Sequence, residues 1–150
     1  MPAKFPGSPA CNFFMKSPKE ITDTMMAKDY FSQWLGIKVI ETSTGACKLS
    51  MKITKNMLNG FGIAHGGITY SFADSALAFA SNSHGPKAVS VETSISHILS
   101  LLEGDEIIAE AKEENCSNKI GVYTIKVYKA NDETIVALFK GTVYRTSKDW

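Results

Sequence analysis

Hydrophobic residues change their spacing along this chain, and each change marks an element. Between Ile21 and Leu35, the positions Met25, Met26, Tyr30, Trp34 and Leu35 fall near helical spacing, and Gly36 is placed to end a helix. From Ala46 to Thr54 the period drops to two. Cys47, Leu49, Met51 and Ile53 share one face, while Lys48, Ser50, Lys52 and Thr54 share the other. That alternation belongs to a half-buried strand, and with the run Ile37–Thr44 across Gly45 it predicts a hairpin. Residues 56–65 read as an irregular, glycine-bearing loop. A long helix is predicted from about Gly66 to Ser83, stopped by Gly85-Pro86. Beyond it the pattern is strand throughout. Ala88–Leu99, Glu106–Asn115, Gly121–Ala130 and Thr134–Arg145 are rich in β-branched and aromatic residues, with turn residues between them.

This order predicts an α+β fold: an antiparallel sheet of five or six strands with one long helix inserted after the second strand. The helix has a broad apolar face of Ile68, Phe72, Ala76, Phe79 and Ala80, suited to the concave side of a sheet. Its other side is a narrow stripe of Ser71, Asp74, Ser75, Ala78 and Asn82. Short side chains there permit close approach by another element. No other segment reads as a partner helix, so a second copy of this one is the expected neighbour.

Charge sharpens the picture. From Asn56 to Pro86 the chain carries a single formal charge, the carboxylate of Asp74. A solvated helix face would carry Lys, Glu or Arg, so a lone Asp among small and aromatic residues suggests a carboxylate kept from bulk solvent. Gly66 and Gly67 open the same helix. Its first amides lack internal partners and form a donor site suited to a carbonyl oxygen that becomes an oxyanion. Asp74 lies about 12 Å further along the axis, at ~1.5 Å per residue. One helix therefore cannot bring both groups to one carbonyl carbon, whereas two antiparallel helices across a two-fold axis can. Each feature alone has a plainer reading: a tight turn for the glycines, a solvated or serine-bonded carboxylate for Asp74, a loop support for His65.

The remaining composition excludes more than it assigns. Net charge is +1, which gives no long-range attraction to nucleic acid or anionic lipid. No apolar run approaches the roughly 20 residues of a membrane span. Residues 1–20 hold four of the five prolines and no apolar secretory core, and are expected to be a flexible arm before a single domain at 21–150. Cys11, Cys47 and Cys116 form no CxxC pair and no Cys/His spacing that would hold zinc, so free thiols in the cytoplasm and no metal site are expected.

The string NGFGIAHGGITYSFADSALAFASNSHG closely resembles the phenylacetate-pathway (PaaI-like) acyl-CoA thioesterases of the hotdog superfamily. Asp29, Leu35-Gly36-Ile37, Ile95, Gly104-Asp105, Gly121-Val122-Tyr123 and Phe139-Lys140-Gly141 extend the likeness over about residues 25–146. The resemblance implies a hotdog fold, with the sheet wrapped around the helix, and assembly into homodimers and then homotetramers. It implies hydrolysis of an acyl-CoA thioester, with coenzyme A entering as part of the substrate and no separate cofactor. By position, Asp74 matches the catalytic carboxylate, as nucleophile or general base. Gly66 matches the residue whose N–H polarises the carbonyl. Asn59, His65 and Ser90 match polar residues around the carbonyl and the attacking water. Gly67, Ser75, Asn118 and Lys119 are candidates for substrate or CoA contacts, with Lys140 and Arg145 as weaker phosphate partners. Tyr70, Phe61, Phe72 and Phe79 suit either an aromatic acyl pocket or a medium-length chain. Phe72 replaces the family's central leucine, and Lys28 stands where some relatives carry an asparagine. A hotdog hydratase would need a histidine five residues after the Asp, where Phe79 stands here. A non-catalytic acyl-CoA-binding protein is the alternative, and thiol release from acyl-CoAs separates the two.

Overall fold

Ser17 caps the first helix: its Oγ accepts from Glu20 N at 3.2 Å, and the Glu20 carboxylate accepts from Ser17 N at 2.8 Å. The computed structural model describes residues 15–150; Cys11 and most of the expected N-terminal arm lie outside them. Helix α1 (Pro18–Met26) takes up the last three residues of that arm. The single helix expected at 21–35 is two, α1 and α2 (Tyr30–Trp34). Asp29 divides them. Its Oδ1 accepts from Ser32 N at 2.9 Å and its Oδ2 from Ser32 Oγ at 2.6 Å, so the side chain caps a new helix instead of continuing the old one.

Strands β1 (Lys38–Ser43) and β2 (Ala46–Lys52) form the expected hairpin. Gly45 turns it with φ +74°, a left-handed conformation that favours glycine. A single 3-10 turn at Lys55–Met57 precedes the long helix α3 (Gly66–Asn82). Strands β3 (Pro86–His97), β4 (Glu106–Cys116), β5 (Ile120–Lys129) and β6 (Ile135–Asp149) follow. All pairings are antiparallel, and the six strands stand in the order β1-β2-β4-β5-β6-β3. The first strand after the helix thus lies at the far edge, beside the last strand of the chain.

The sheet wraps α3 in the hotdog arrangement that the resemblance implied. Phe72, Ala76, Phe79 and Ala80 are fully buried against it, with Leu49, Ile107, Ile125 and Val127 among the facing residues. Ile68 is only partly buried at the margin. Gly141 on β6 lets the helix come close: a Cβ there would lie 2.4 Å from Leu77 Cδ2. The stripe of short residues divides in two. Ser71, Asp74 and Ala78 stay partly open, while Ser75 and Asn82 are buried. Asn82 fastens the end of α3: its Oδ1 accepts from Ala88 N at 2.8 Å and Trp150 Nε1 at 2.7 Å, and its Nδ2 donates to Ala88 O at 3.1 Å. Among the described residues, no helix is long and apolar enough to cross a membrane.

Candidate active site

The start of α3 is held by backbone bonds on both sides. Ala64 N donates to Leu101 O at 2.8 Å, and His65 N donates to Met57 O at 2.8 Å. His65 is the N-cap, and its Nδ1 accepts from Gly67 N at 2.9 Å. An accepting Nδ1 puts the ring proton on Nε2. Ile68 N donates to His65 O at 2.9 Å. Of the first amides of the helix, that of Gly66 has no acceptor among the described residues. The two glycines therefore differ: the Gly67 amide is spent on the cap and the Gly66 amide is free.

Gly66 lines an open cleft of about 210 Å³ with Asn59, Thr69, His97 and Leu101. Asn59 sits in a tight loop, its Oδ1 accepting from Phe61 N at 2.9 Å and its backbone N–H donating to Ile63 O at 2.8 Å. That leaves its Nδ2 as the uncommitted donor of the carboxamide. His97 was not evident from sequence. A Cβ on Gly66 would sit 3.2 Å from His97 Nε2, so the bare glycine gives the ring its room. The signal available was one histidine ending a strand of Ser, Thr and Ile. Which element it would face depends on β3 running back along α3, a tertiary fact.

Asp74 opens into a different depression, of about 260 Å³, with Ser81, Ala88, Val89, Ser90 and Val143. Burial raises its carboxyl pKa, and no neighbouring charge or hydrogen bond opposes that rise. Asp74 and Ser90 are brought together, as are Gly66 and Asn59, but the two pairs occupy separate hollows of one protomer.

The other candidates fall away from these hollows. Ser75 is buried and shares a hydrogen bond of 2.9 Å with Ser32 Oγ, locking α3 to α2. Asn118 and Lys119 lie in the exposed β4–β5 turn, with Lys119 Nζ 5.6 Å from the centre of the Tyr144 ring. Lys140 is paired with Glu92 at 3.8 Å. The Arg145 guanidinium donates to Ser117 O at 2.6 Å, while its Nε is buried without a partner. Phe72 and Phe79 are sealed in the core and cannot line an acyl pocket, Phe61 is 90% exposed, and Tyr70 is hydrogen-bonded to Thr93.

Residues 61–136, which carry Gly66, Asp74, Ser90 and His97, match the Thioesterase superfamily. The acyl-coenzyme A thioesterase PaaI of Escherichia coli is 36% identical over 121 residues, 81% of this chain and 86% of that protein. The solved structure of the Escherichia coli PaaI protein from the phenylacetic acid degradation operon matches with a TM-score of 0.86 at 32% identity, covering 88% of this chain and 95% of that one. The TT0310 protein of Thermus thermophilus matches at 0.76 with 37% identity, over 79% of this chain and 99% of that one.

Proposed function

This chain belongs to the thioesterase superfamily of thioester-hydrolysing enzymes, and on that premise we propose that it cleaves an aryl- or medium-chain acyl-CoA at sites completed between two copies of itself. One observation supports the reading: the Gly66 amide at the helix tip, without an acceptor among the described residues, lines one hollow, and the partly desolvated Asp74 carboxylate lines another.

In the complete site the thioester carbonyl oxygen accepts from Gly66 N–H of one copy. Asp74 of the other copy attacks the carbonyl carbon, or takes a proton from a water that does. As the tetrahedral oxyanion forms, the bond from Gly66 strengthens, a gain of roughly 2.7–4 kcal/mol for one such donor. The C–S bond then breaks and CoA leaves as the thiolate. By the nucleophilic route the acyl–Asp74 anhydride left behind is cleaved by water; by the base route the free acid forms directly and Asp74 passes its proton to the departing thiolate or to solvent. Asn59 Nδ2 and the Ser90 hydroxyl orient the carbonyl and the water, and His65 fixes the helix tip that presents the amide.

The edge position of β3 supports self-association. Val89 is 56% and Val91 59% exposed on a strand with one free side, and a second copy would cover them. The proposed assembly is a homodimer paired into a homotetramer. Lys119 is the favoured cation for a CoA phosphate, because Tyr144, beneath its ammonium, pairs with Val89 on the rim of the Asp74 hollow. The free thiols Cys47 and Cys116 suit a reducing, cytoplasmic compartment.

The test is Asp74→Asn assayed for thiol release over a panel of acyl-CoAs. It should keep substrate affinity and lose roughly 100-fold or more in kcat. Turnover near that of the wild type would remove Asp74 from the chemistry.

A further inference from the structure

At the end of α3 away from Gly66, one side chain that follows the helix converges with two from β4. A ring nitrogen of His84, a Glu113 carboxylate oxygen and Cys116 Sγ all lie within 4.8 Å of one another, and all three residues are partly buried. The hollows of the proposed active site contain none of them.

The backbone explains the convergence. Three residues apart on a regular strand, Glu113 and Cys116 would point to opposite faces. The β4–β5 register shifts between Glu113 and Asn115: Glu113 stands opposite Tyr123, and Cys116 opposite Gly121. Tyr123 and Gly121 share a face, so the bulge turns Glu113 and Cys116 to the same side. His84 is delivered from α3 by the β1–β2 turn. Gly45 N donates to the hydroxyl of Ser83 at 2.8 Å, and Glu113 N donates to Gly45 O at 2.9 Å. A Cβ on Gly45 would lie 2.9 Å from Glu113 Oε2, so the turn closes directly over the carboxylate.

We infer that His84, Glu113 and Cys116 form a binding site for a divalent metal ion of the zinc type, joining the end of α3 to the β4–β5 hairpin. The donor set is one imidazole nitrogen, one carboxylate oxygen and one thiol sulfur. That mixture suits borderline ions such as Zn²⁺, whereas Ca²⁺ and Mg²⁺ take oxygen alone. Donors at zinc distances stand roughly 3.5 Å apart around a tetrahedral ion, which small rotations of these side chains reach. An outer partner is already present: Tyr123 Oη donates to Glu113 Oε2 at 2.8 Å and orients the carboxylate. His84 is hydrogen-bonded to Glu113. Metal entry breaks that bond, moves the imidazole proton of His84 to the ring nitrogen away from the metal, and releases the Cys116 thiol proton to solvent, leaving a neutral imidazole, a carboxylate and a thiolate as ligands. Arg145 is the nearby cation, and the two anionic ligands outnumber it. The fourth position is left to water.

The full chain, stripped with chelator, is dialysed against Zn²⁺ alone and its metal content measured, together with Cys116→Ser and His84→Gln. The wild type should retain about one equivalent, each variant should bind at least about 10-fold more weakly, and the same added Zn²⁺ should raise the melting temperature of the wild type by more than that of either variant. Loading wild type with Co²⁺ gives a readout that needs no variant: a thiolate-to-metal charge-transfer band in the near ultraviolet. A wild type that holds zinc no better than Cys116→Ser, or a Co²⁺ spectrum without that band, overturns the assignment.

Discussion

The ring of His65 folds back onto the helix it opens and takes the Gly67 amide as its own partner, Nδ1 to N at 2.9 Å. One residue earlier, the Gly66 amide is left without an acceptor among the described residues. The cap and the proposed oxyanion donor are therefore adjacent groups with separate duties, and substitutions can separate them.

Replacing His65 by Ala removes the cap and should destabilise the fold by about 1 kcal/mol; Asn, a strong N-cap residue, should restore most of that. Urea unfolding of the two variants measures it. Equal stability of the two would mean that the bond to Gly67 contributes nothing.

Gly66→Pro deletes the N–H while respecting the helix. Proline is tolerated at a first helical position. His65, with φ −61° and ψ 136°, already has the extended conformation required before proline. Hydrolysis should fall by about 10²–10³ in kcat with the fold intact. Gly66→Ala keeps the amide and meets only the exposed His97 ring, at 3.2 Å, so its loss should be far smaller. Circular dichroism and thiol release measure the pair.

Asp74 should cost the fold stability when it ionises. Burial raises its pKa above the unfolded value, so its contribution is most favourable below the ordinary Asp value of about 3.9 and is lost as pH rises through the folded pKa. Asp74→Asn should therefore unfold at higher denaturant than wild type at neutral pH, with the gap closing on acidification. The same shift should move the acid limb of kcat/KM upward from the ordinary Asp value. A neutral-pH midpoint below that of wild type contradicts both statements.

Gly141→Ala tests the close approach of helix and sheet. The added Cβ would stand 2.4 Å from Leu77 Cδ2. Leu77 is buried and has little room to move, so a loss of about 1–3 kcal/mol in urea unfolding is expected.

Local pattern made the strands and the long helix legible, because each half-buried element must alternate at its own period. Cys47 to Ile53 and Phe72 to Ala80 did so plainly. The break at Asp29 was hidden, because Met25, Met26, Tyr30 and Trp34 keep helical spacing across a capping side chain. Asp74 stood out by charge alone. The uses of Ser75 and Asn82 depended on what faced them: Ser32 from another helix, and Ala88 and Trp150 from beyond the helix end. His97 beside Gly66, and His84 beside Glu113 and Cys116, join residues distant in sequence. The second group also needs a bulge that no local spacing records.

The shared site is most directly tested by mixing Asp74→Asn and Gly66→Pro chains, each inactive alone, under exchange conditions. In a mixed dimer one site receives Gly66 from the first chain and Asp74 from the second, while the other site has neither. Random pairing of equal amounts should restore about a quarter of wild-type hydrolysis. Confirmed mixed dimers that stay as inactive as their parents would contradict a site built from two chains.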